Sequence, residues 1–211
     1  MLLSIDTRTH SAPPWVVFAY DIADPKRAQQ ARAALKPYAG PRQYSVFECR
    51  MHYGWARDLL AELAAIIDKD EDRLALWWPR QGVRIALQPD HCLIARTTDG
   101  IESGIDRSQC GQLLAGAGNY LVSYDIVDPA RARQVHASVA AGGAMLQRSL
   151  YQWRCSAMLL QRLVDRCAGL IAPGDRFWVH PLRRVGDLWR VGELPCSLLP
   201  IGTHHWRRSG H

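Results

Sequence analysis

Residues 16 to 35, VVFAYDIADPKRAQQARAAL, return about a hundred residues later as YLVSYDIVDPARARQVHASV, residues 120 to 139. At an offset of 104, Tyr20 to Gln30 matches Tyr124 to Gln134 at 8 of 11 positions. The register then holds without a gap through Gln43 and Gln147, Ser45 and Ser149, and Arg50 and Arg154. A chain that writes one supersecondary unit twice is constrained to fold as two like modules, and 211 residues divide into two of about a hundred.

Each copy reads as strand, helix, strand or bent hairpin, helix, strand. VVFAY and YLVSY are apolar at consecutive positions, the mark of strands buried on both faces. Asp24 and Asp128 stand where a helix cap belongs, with Pro25 and Pro129 at the first helical position. Ala28, Ala31, Leu35 and Tyr38 then recur at helical spacing on one face. RQYSVFECRM (42 to 51) and LQRSLYQWRC (146 to 155) are rich in β-branched and aromatic residues and read as strands. Second helices follow, one using Leu59, Leu60, Leu63, Ile66 and Ile67, the other Leu159, Leu160, Leu163, Val164, Cys167 and Ile171. The acidic turns DKDED (68 to 72), expected to be solvated, and APGD (172 to 175) lead into the closing strands RLALWWP and RFWVHP.

That order predicts an α+β chain of two ferredoxin-like (βαββαβ) domains, each with both helices on one face of an antiparallel sheet. The bare sheet faces need burial, and the sister sheet is the natural cover. The two domains are therefore expected to pack sheet to sheet as an intramolecular pseudo-dimer, monomeric as a chain. The expected boundaries are an N-terminal extension at 1–14, a first domain at 15–88, a linker at 89–118, a second domain at 119–193 and a C-terminal tail at 194–211. A short strand at Val83 to Leu87 is expected just before the linker, and the tail, with His204 and His205, is expected to dock on something.

Composition bounds the partners. No apolar run approaches the ~20 residues of a membrane span, and MLLSIDTRTH lacks the pattern of a secretory signal, so the expected location is the cytoplasm. The six cysteines form no CxxC pair, which points to buried or free thiols rather than zinc or disulfides. The net charge of +6 is one-sided: residues 1 to 111 carry 14 basic and 14 acidic side chains, residues 112 to 211 carry 12 and 6. Of the 26 basic residues 23 are arginine, whose planar fork suits phosphate. The eight tryptophans could stack bases, but Trp77, Trp78 and Trp178 lie in closing strands and are expected in core or interface.

Asp21 and Asp125 are not needed for capping and end apolar strands at a sheet edge. If a pseudo-twofold axis brings them together, the two carboxylates repel unless protonated or bridged by a hard cation such as Mg²⁺, which could polarise a phosphodiester. Ion pairs with Arg27 and Arg131 are the structural alternative, and the sequence leaves both open.

A strand ending in Tyr-Asp-Ile, an Asp-Pro-x-Arg helix start, QYSVFEC before a helix, an acidic turn and a strand closing in Trp-Pro or His-Pro together resemble the CRISPR-associated protein 2 family, over residues 15 to 88 and again over 119 to 193. The resemblance implies a ferredoxin-like pair that acts as a duplex-DNA-binding scaffold bridging CRISPR integrase subunits during spacer acquisition. Its alternative is a Mg²⁺-dependent endonuclease on single-stranded RNA or double-stranded DNA, with Tyr20, Asp21, Tyr124 and Asp125 catalytic and Asp21 and Asp125 holding the metal. A toxin-like ribonuclease sharing only the fold is a further alternative. Arg27, Arg131, Arg133, Arg148, Arg154, Arg183 and Arg184 are the expected nucleic-acid contacts, with duplex DNA, integrase subunits and RNA as partners. Phe47 matches the family's phenylalanine and Tyr151 replaces it in the second copy, while Glu48 gives way to Gln152, which argues against two equal catalytic halves. The second copy has also gained Arg162 and Arg166, as a fused pair, unlike a homodimer, is free to do.

Overall fold

The computed structural model describes residues 13–42, 45–79, 84–87, 92–95, 102–105, 110, 114–116, 118–182, 188–191 and 204–205. The first unit runs β1 (Trp15–Asp21), α1 (Pro25–Leu35), β2 (Ala39–Arg42), β3 (Val46–Arg50), α2 (Tyr53–Ile66) and β4 (Arg73–Trp77). Three strands come next, β5 (Arg84–Leu87), β6 (Cys92–Ala95) and β7 (Glu102–Ile105). The second unit repeats the order with β8 (Asn119–Asp125), α3 (Pro129–Ala140), β9 (Gly143–Gln147), β10 (Leu150–Arg154), α4 (Ala157–Ala168) and β11 (Arg176–Pro181), before β12 (Leu188–Val191) and β13 (His204–His205).

Within the units the strand orders are β4-β1-β3-β2 and β11-β8-β10-β9, all neighbours antiparallel. This is the ferredoxin-like arrangement in both copies. The strand C-terminal to each unit crosses over to the other. β5 pairs with β11 of the second unit and carries β6 and β7 outward as a seven-stranded sheet. β12 pairs with β4 of the first unit and β13 lies parallel beside it, making six strands. The strand expected at Val83 to Leu87 is present at Arg84–Leu87, and the tail docks through His204–His205. Such reciprocal exchange ties the sheets by backbone hydrogen bonds as well as by packing.

Period-two alternation explains the unbroken apolar strands. Val16, Phe18 and Tyr20 of β1 face the helices, joining Phe47, Leu60, Leu63 and Leu74 in one core. Tyr120, Val122 and Tyr124 of β8 do the same with Tyr151, Leu160, Leu163 and Phe177. The intervening residues face the sister sheet: Val17, Ala19, Val46, Ala75 and Trp77 meet Leu121, Leu146, Leu150 and Leu182 in a third cluster between the units. Both faces of each central strand are thus dry, and burying each Val or Leu there contributes about 1.5–3 kcal/mol. Trp77 and Trp178 are interior, as expected of them, and half-buried Trp78 stacks on Tyr53 at 5.3 Å. Cys49, Cys155 and Cys167 are free thiols, and burial pushes those of Cys49 and Cys167 up to about 12. No helix among the described residues is long and apolar enough to cross a membrane.

Candidate functional site: a cleft beside Asp125

Asp21 and Asp125 are the last residues of β1 and β8, Asp21 exposed and Asp125 half-buried. The preceding tyrosines turn inward, Tyr20 4% and Tyr124 5% exposed. Opposite the aspartates in the antiparallel register stand Arg73 and Arg176, which makes cross-strand charge neighbours of both. The helix starts behave as the sequence requires. Asp24 and Asp128 each accept from the backbone N–H three residues on, at 2.7 Å, with proline at the first helical turn.

Arg27 and Arg131 are engaged elsewhere than with Asp21 and Asp125. Arg27 Nε donates to Asp72 at 2.7 Å and its Nη2 to Glu71 at 2.8 Å, while Arg131 Nε donates to Asp175 at 3.0 Å. This corrects one expectation. The turn at 68–72 is not merely solvated, since the carboxylate of Asp72 is fully buried, as is that of Asp175 in the second unit. The two arginines serve as struts from helix start to closing turn. Asp72 also accepts from the N–H of Ala23 and Asp68, both at 2.9 Å, and Asp175 from Val127 at 2.8 Å and Ala172 at 2.9 Å. Burial pushes both carboxyls up, but the arginine and backbone donors outweigh it and hold them below the usual carboxylate range.

A cleft of about 830 Å³ opens at the end of β8. Tyr124, Asp125, Arg133, His136 and Arg148 line it, and Ser45 and Val46 of the first unit close one wall. Arg148 and Ser149 form the tight β9–β10 turn, with Ser149 in the left-handed region at φ 64° and its carbonyl accepting from Tyr124 N–H at 3.1 Å. Gln147 Nε2 reaches across to Ser45 Oγ at 3.1 Å and fastens this turn to the first unit. His136 Nδ1 lies 3.0 Å from the Tyr124 hydroxyl and 3.1 Å from that of Tyr151. Burial raises both phenols, and each tyrosine also lies against the other. Asp21 is not among the residues that line the cleft. Its donor set is ill suited to a divalent cation: one carboxylate stands against two arginines, and among the described residues no three His, Cys, Asp or Glu side chains gather.

His136 is the residue the sequence motifs passed over. Comparison at the 104-residue offset could have found it, because the first copy has Arg32 there, and the same comparison sets Tyr151 against Phe47.

Glu48 is not among the residues that line the cleft. It is 3% exposed between the sheets, with its Oε1 2.6 Å from His180 Nε2 of the second unit and its other oxygen bonded by Arg84 of the exchanged strand. Burial pushes its carboxyl up, yet His180 and Arg84 more than offset this and keep it ionised. Arg84 lies over the Trp15 ring at 4.4 Å, with Arg50 at 4.6 Å. The Glu48 to Gln152 divergence therefore concerns how the units join. Of the remaining expected nucleic-acid contacts, Arg133, Arg148 and Arg154 are exposed, as are Arg162 and Arg166. Arg183 and Arg184 lie outside the described residues.

The family model for CRISPR associated protein Cas2 matches residues 14–81 and 119–186, one match per unit. A CRISPR-associated endoribonuclease Cas2 of Rhodospirillum rubrum is 36% identical over 84 residues, which is 39% of this chain and 82% of that one. Its namesake from Thermus thermophilus is 40% identical over 65 residues, 30% of this chain and 68% of its own. A crystal structure of a hypothetical protein from Thermus thermophilus, 31% identical, covers 33% of this chain and 84% of its own with a TM-score of 0.31.

Proposed function

The chain belongs to the CRISPR-associated Cas2 family and carries the family's unit twice; from that premise we propose that it works in the cytoplasm as a single-chain scaffold for duplex DNA in spacer acquisition, docking integrase subunits. The observation that carries this reading is the set of exposed arginines that folding leaves on the second unit. Arg154, Arg162 and Arg166 are exposed and have no ion-pair partner among the described residues, unlike Arg27 and Arg131. Such groups suit phosphates without reading bases, and each phosphate neutralised releases counterions. The reading extends to Arg183 and Arg184, and takes 15–88 and 119–193 as the two domains with 89–118 as their linker.

The test is duplex affinity against salt. Replacing Arg154, Arg162 and Arg166 by Glu should weaken binding and lower the slope of log K on log salt by roughly 2–3. Asp21→Asn with Asp125→Asn should leave duplex binding nearly unchanged. A double aspartate variant that loses the duplex while the arginine variant keeps it overturns the assignment. Co-purification with an integrase subunit tests the second half of the proposal.

The cleft beside Asp125, together with the relatives' endoribonuclease names, favours a second reading, phosphodiester hydrolysis in RNA. Its metal-assisted form would need Asp21 and Asp125 to share a Mg²⁺ ion, and Asp21 does not line the cleft. Cleavage of labelled RNA that is stopped by chelator and by Asp125→Asn supports it; cleavage indifferent to both removes it.

A further inference from the structure

The outer faces of α2 and α4 carry opposite charge. At the 104-residue offset Trp55, Asp58 and Glu62 of α2 correspond to Leu159, Arg162 and Arg166 of α4. Each set is spaced i, i+3 and i+7 and so forms one stripe along its helix, and all six residues are exposed. The stripes differ in shape as well. In the first unit Tyr38 and Trp55, the latter 66% exposed, stand over a groove of about 390 Å³ that Met51 and Leu59 also line and Asp58 and Glu62 edge. In the second unit Gly142 takes the place of Tyr38, while Met158, 63% exposed, and Leu159 project from α4. Asp58 accepts from its neighbour Arg57 at 3.0 Å, an exposed pair that contributes little. Asp165, beside Arg166, accepts from Gln161 at 2.8 Å. Glu62, Arg162 and Arg166 have no ion-pair partner among the described residues.

We infer that the groove on α2 seats α4 of a second copy of this chain, with Met158 and Leu159 entering beside Trp55 while Arg162 and Arg166 face Asp58 and Glu62. The two acids are four residues apart, as are the two arginines, so one register of helix on helix forms both ion pairs. Charge also excludes the symmetrical alternatives, because α2 against α2 would gather four carboxylates and α4 against α4 four guanidinium groups. An unbranched methionine adapts to an irregular groove, and an exposed tryptophan is a common anchor of protein contacts. The two helices cannot meet within one chain. The sheets pack face to face, and each pair of helices covers the outer side of its own sheet, so α2 and α4 point away from each other. The contact is therefore head to tail, and its repetition builds a row or a ring. This goes beyond the duplex scaffold but shares Arg162 and Arg166 with it, so a second copy and a duplex would compete for them.

The experiment is sedimentation velocity of the full chain at low salt, at concentrations up to about 1 mM, the range of weak association. Mass should rise with concentration and fall back as added salt screens the pairs. Asp58→Arg with Glu62→Arg, and separately Arg162→Glu with Arg166→Glu, should each raise the concentration needed for association at least about tenfold, because like charges then face each other. An equimolar mixture of the two variants should regain the parent's association, since each offers the other a complementary stripe. That recovery also guards against a folding defect, because misfolded chains would not restore one another. A parent that stays monomeric throughout, variants that associate as the parent does, or a mixture as monomeric as its parts overturns the contact. Duplex affinity that survives Arg162→Glu with Arg166→Glu counts against the scaffold and leaves the contact standing. The Asp58 and Glu62 variant keeps every arginine of the scaffold and tests the contact alone.

Discussion

The two units share one device and part at another. In both, an arginine at the helix start ties to a buried aspartate before the closing strand, Arg27 to Asp72 and Arg131 to Asp175, with two backbone N–H groups completing each carboxylate. Between the units the likeness ends. Glu48, His180 and Arg84 form one charged cluster, whereas the positions related to them by the repeat are Gln152, Leu76 and Leu188. Gln152 instead donates to Asn119 at 2.8 Å. The strut serves each unit's own fold, so both copies need it. A cluster at the joint serves the pair, and a single polypeptide can place anion on one side and cations on the other, which a homodimer must do twice or not at all.

Removing the anion breaks that comparison hardest. Glu48→Ala leaves Arg84 and His180 buried without their acceptor and should cost about 3–5 kcal/mol, lowering Tm by about 2–4 °C per kcal/mol for a chain of this size. Installing the other copy's residues, Glu48→Gln with His180→Leu and Arg84→Leu, should recover most of the loss, since apolar replacement of a buried ion cluster is often neutral or better. If the triple variant melts no higher than Glu48→Ala, the cluster is not what joins the units. The carboxyl is held below its ordinary value of about 4.3, so its contribution is complete above that pH and is lost as pH falls through the lower folded value.

The shared struts give a smaller and symmetrical effect. Asp72→Asn and Asp175→Asn each remove a charge-assisted bond and should each cost about 2–3 kcal/mol, read as Tm. Both carboxyls titrate below the usual aspartate value of about 3.9, so this stability is present above that value and disappears on further acidification. The Tm difference between the parent and either variant should accordingly shrink as pH drops below that point. A large loss for one variant and none for the other would show that the units do not depend equally on the strut.

The fold was legible because its signals are local and repeated: apolar strands at a fixed offset, Asp-Pro helix starts and helical apolar spacing. The helix caps and the packing of bare sheet against bare sheet come from those. Glu48 and Asp72 were not legible, because a carboxylate in a sequence carries no mark of burial; each becomes interior only when a distant residue arrives, His180 from 132 positions away and Arg27 from 45. His136 was hidden for another reason. A lone histidine on a polar helix face fits no motif, and its meaning comes from Tyr124 and Tyr151, which lie on two different strands. The exchange of β5 and β12 was likewise invisible, since short strands do not announce their partners.

The smallest test concerns a packing swap between the copies. Trp153 packs its indole against Gly143 and donates from Nε1 to the Val139 carbonyl at 3.0 Å. A Cβ at Gly143 would collide with that ring and come 2.9 Å from the same carbonyl, so close approach, not backbone conformation, demands glycine there. In the first unit the corresponding pair is Ala39 and Cys49, a larger residue facing a smaller one. Gly143→Ala should therefore cost about 1–2 kcal/mol by overpacking. In a Trp153→Cys background, which recreates the first unit's pair and leaves the Val139 carbonyl as the remaining close contact, the same substitution should cost clearly less, although Trp153→Cys alone destabilises by opening space. A double-mutant cycle on Tm reads the coupling directly. Equal losses in the two backgrounds would mean that the units reached these residues independently, and that the second unit's tryptophan is not what holds position 143 to glycine.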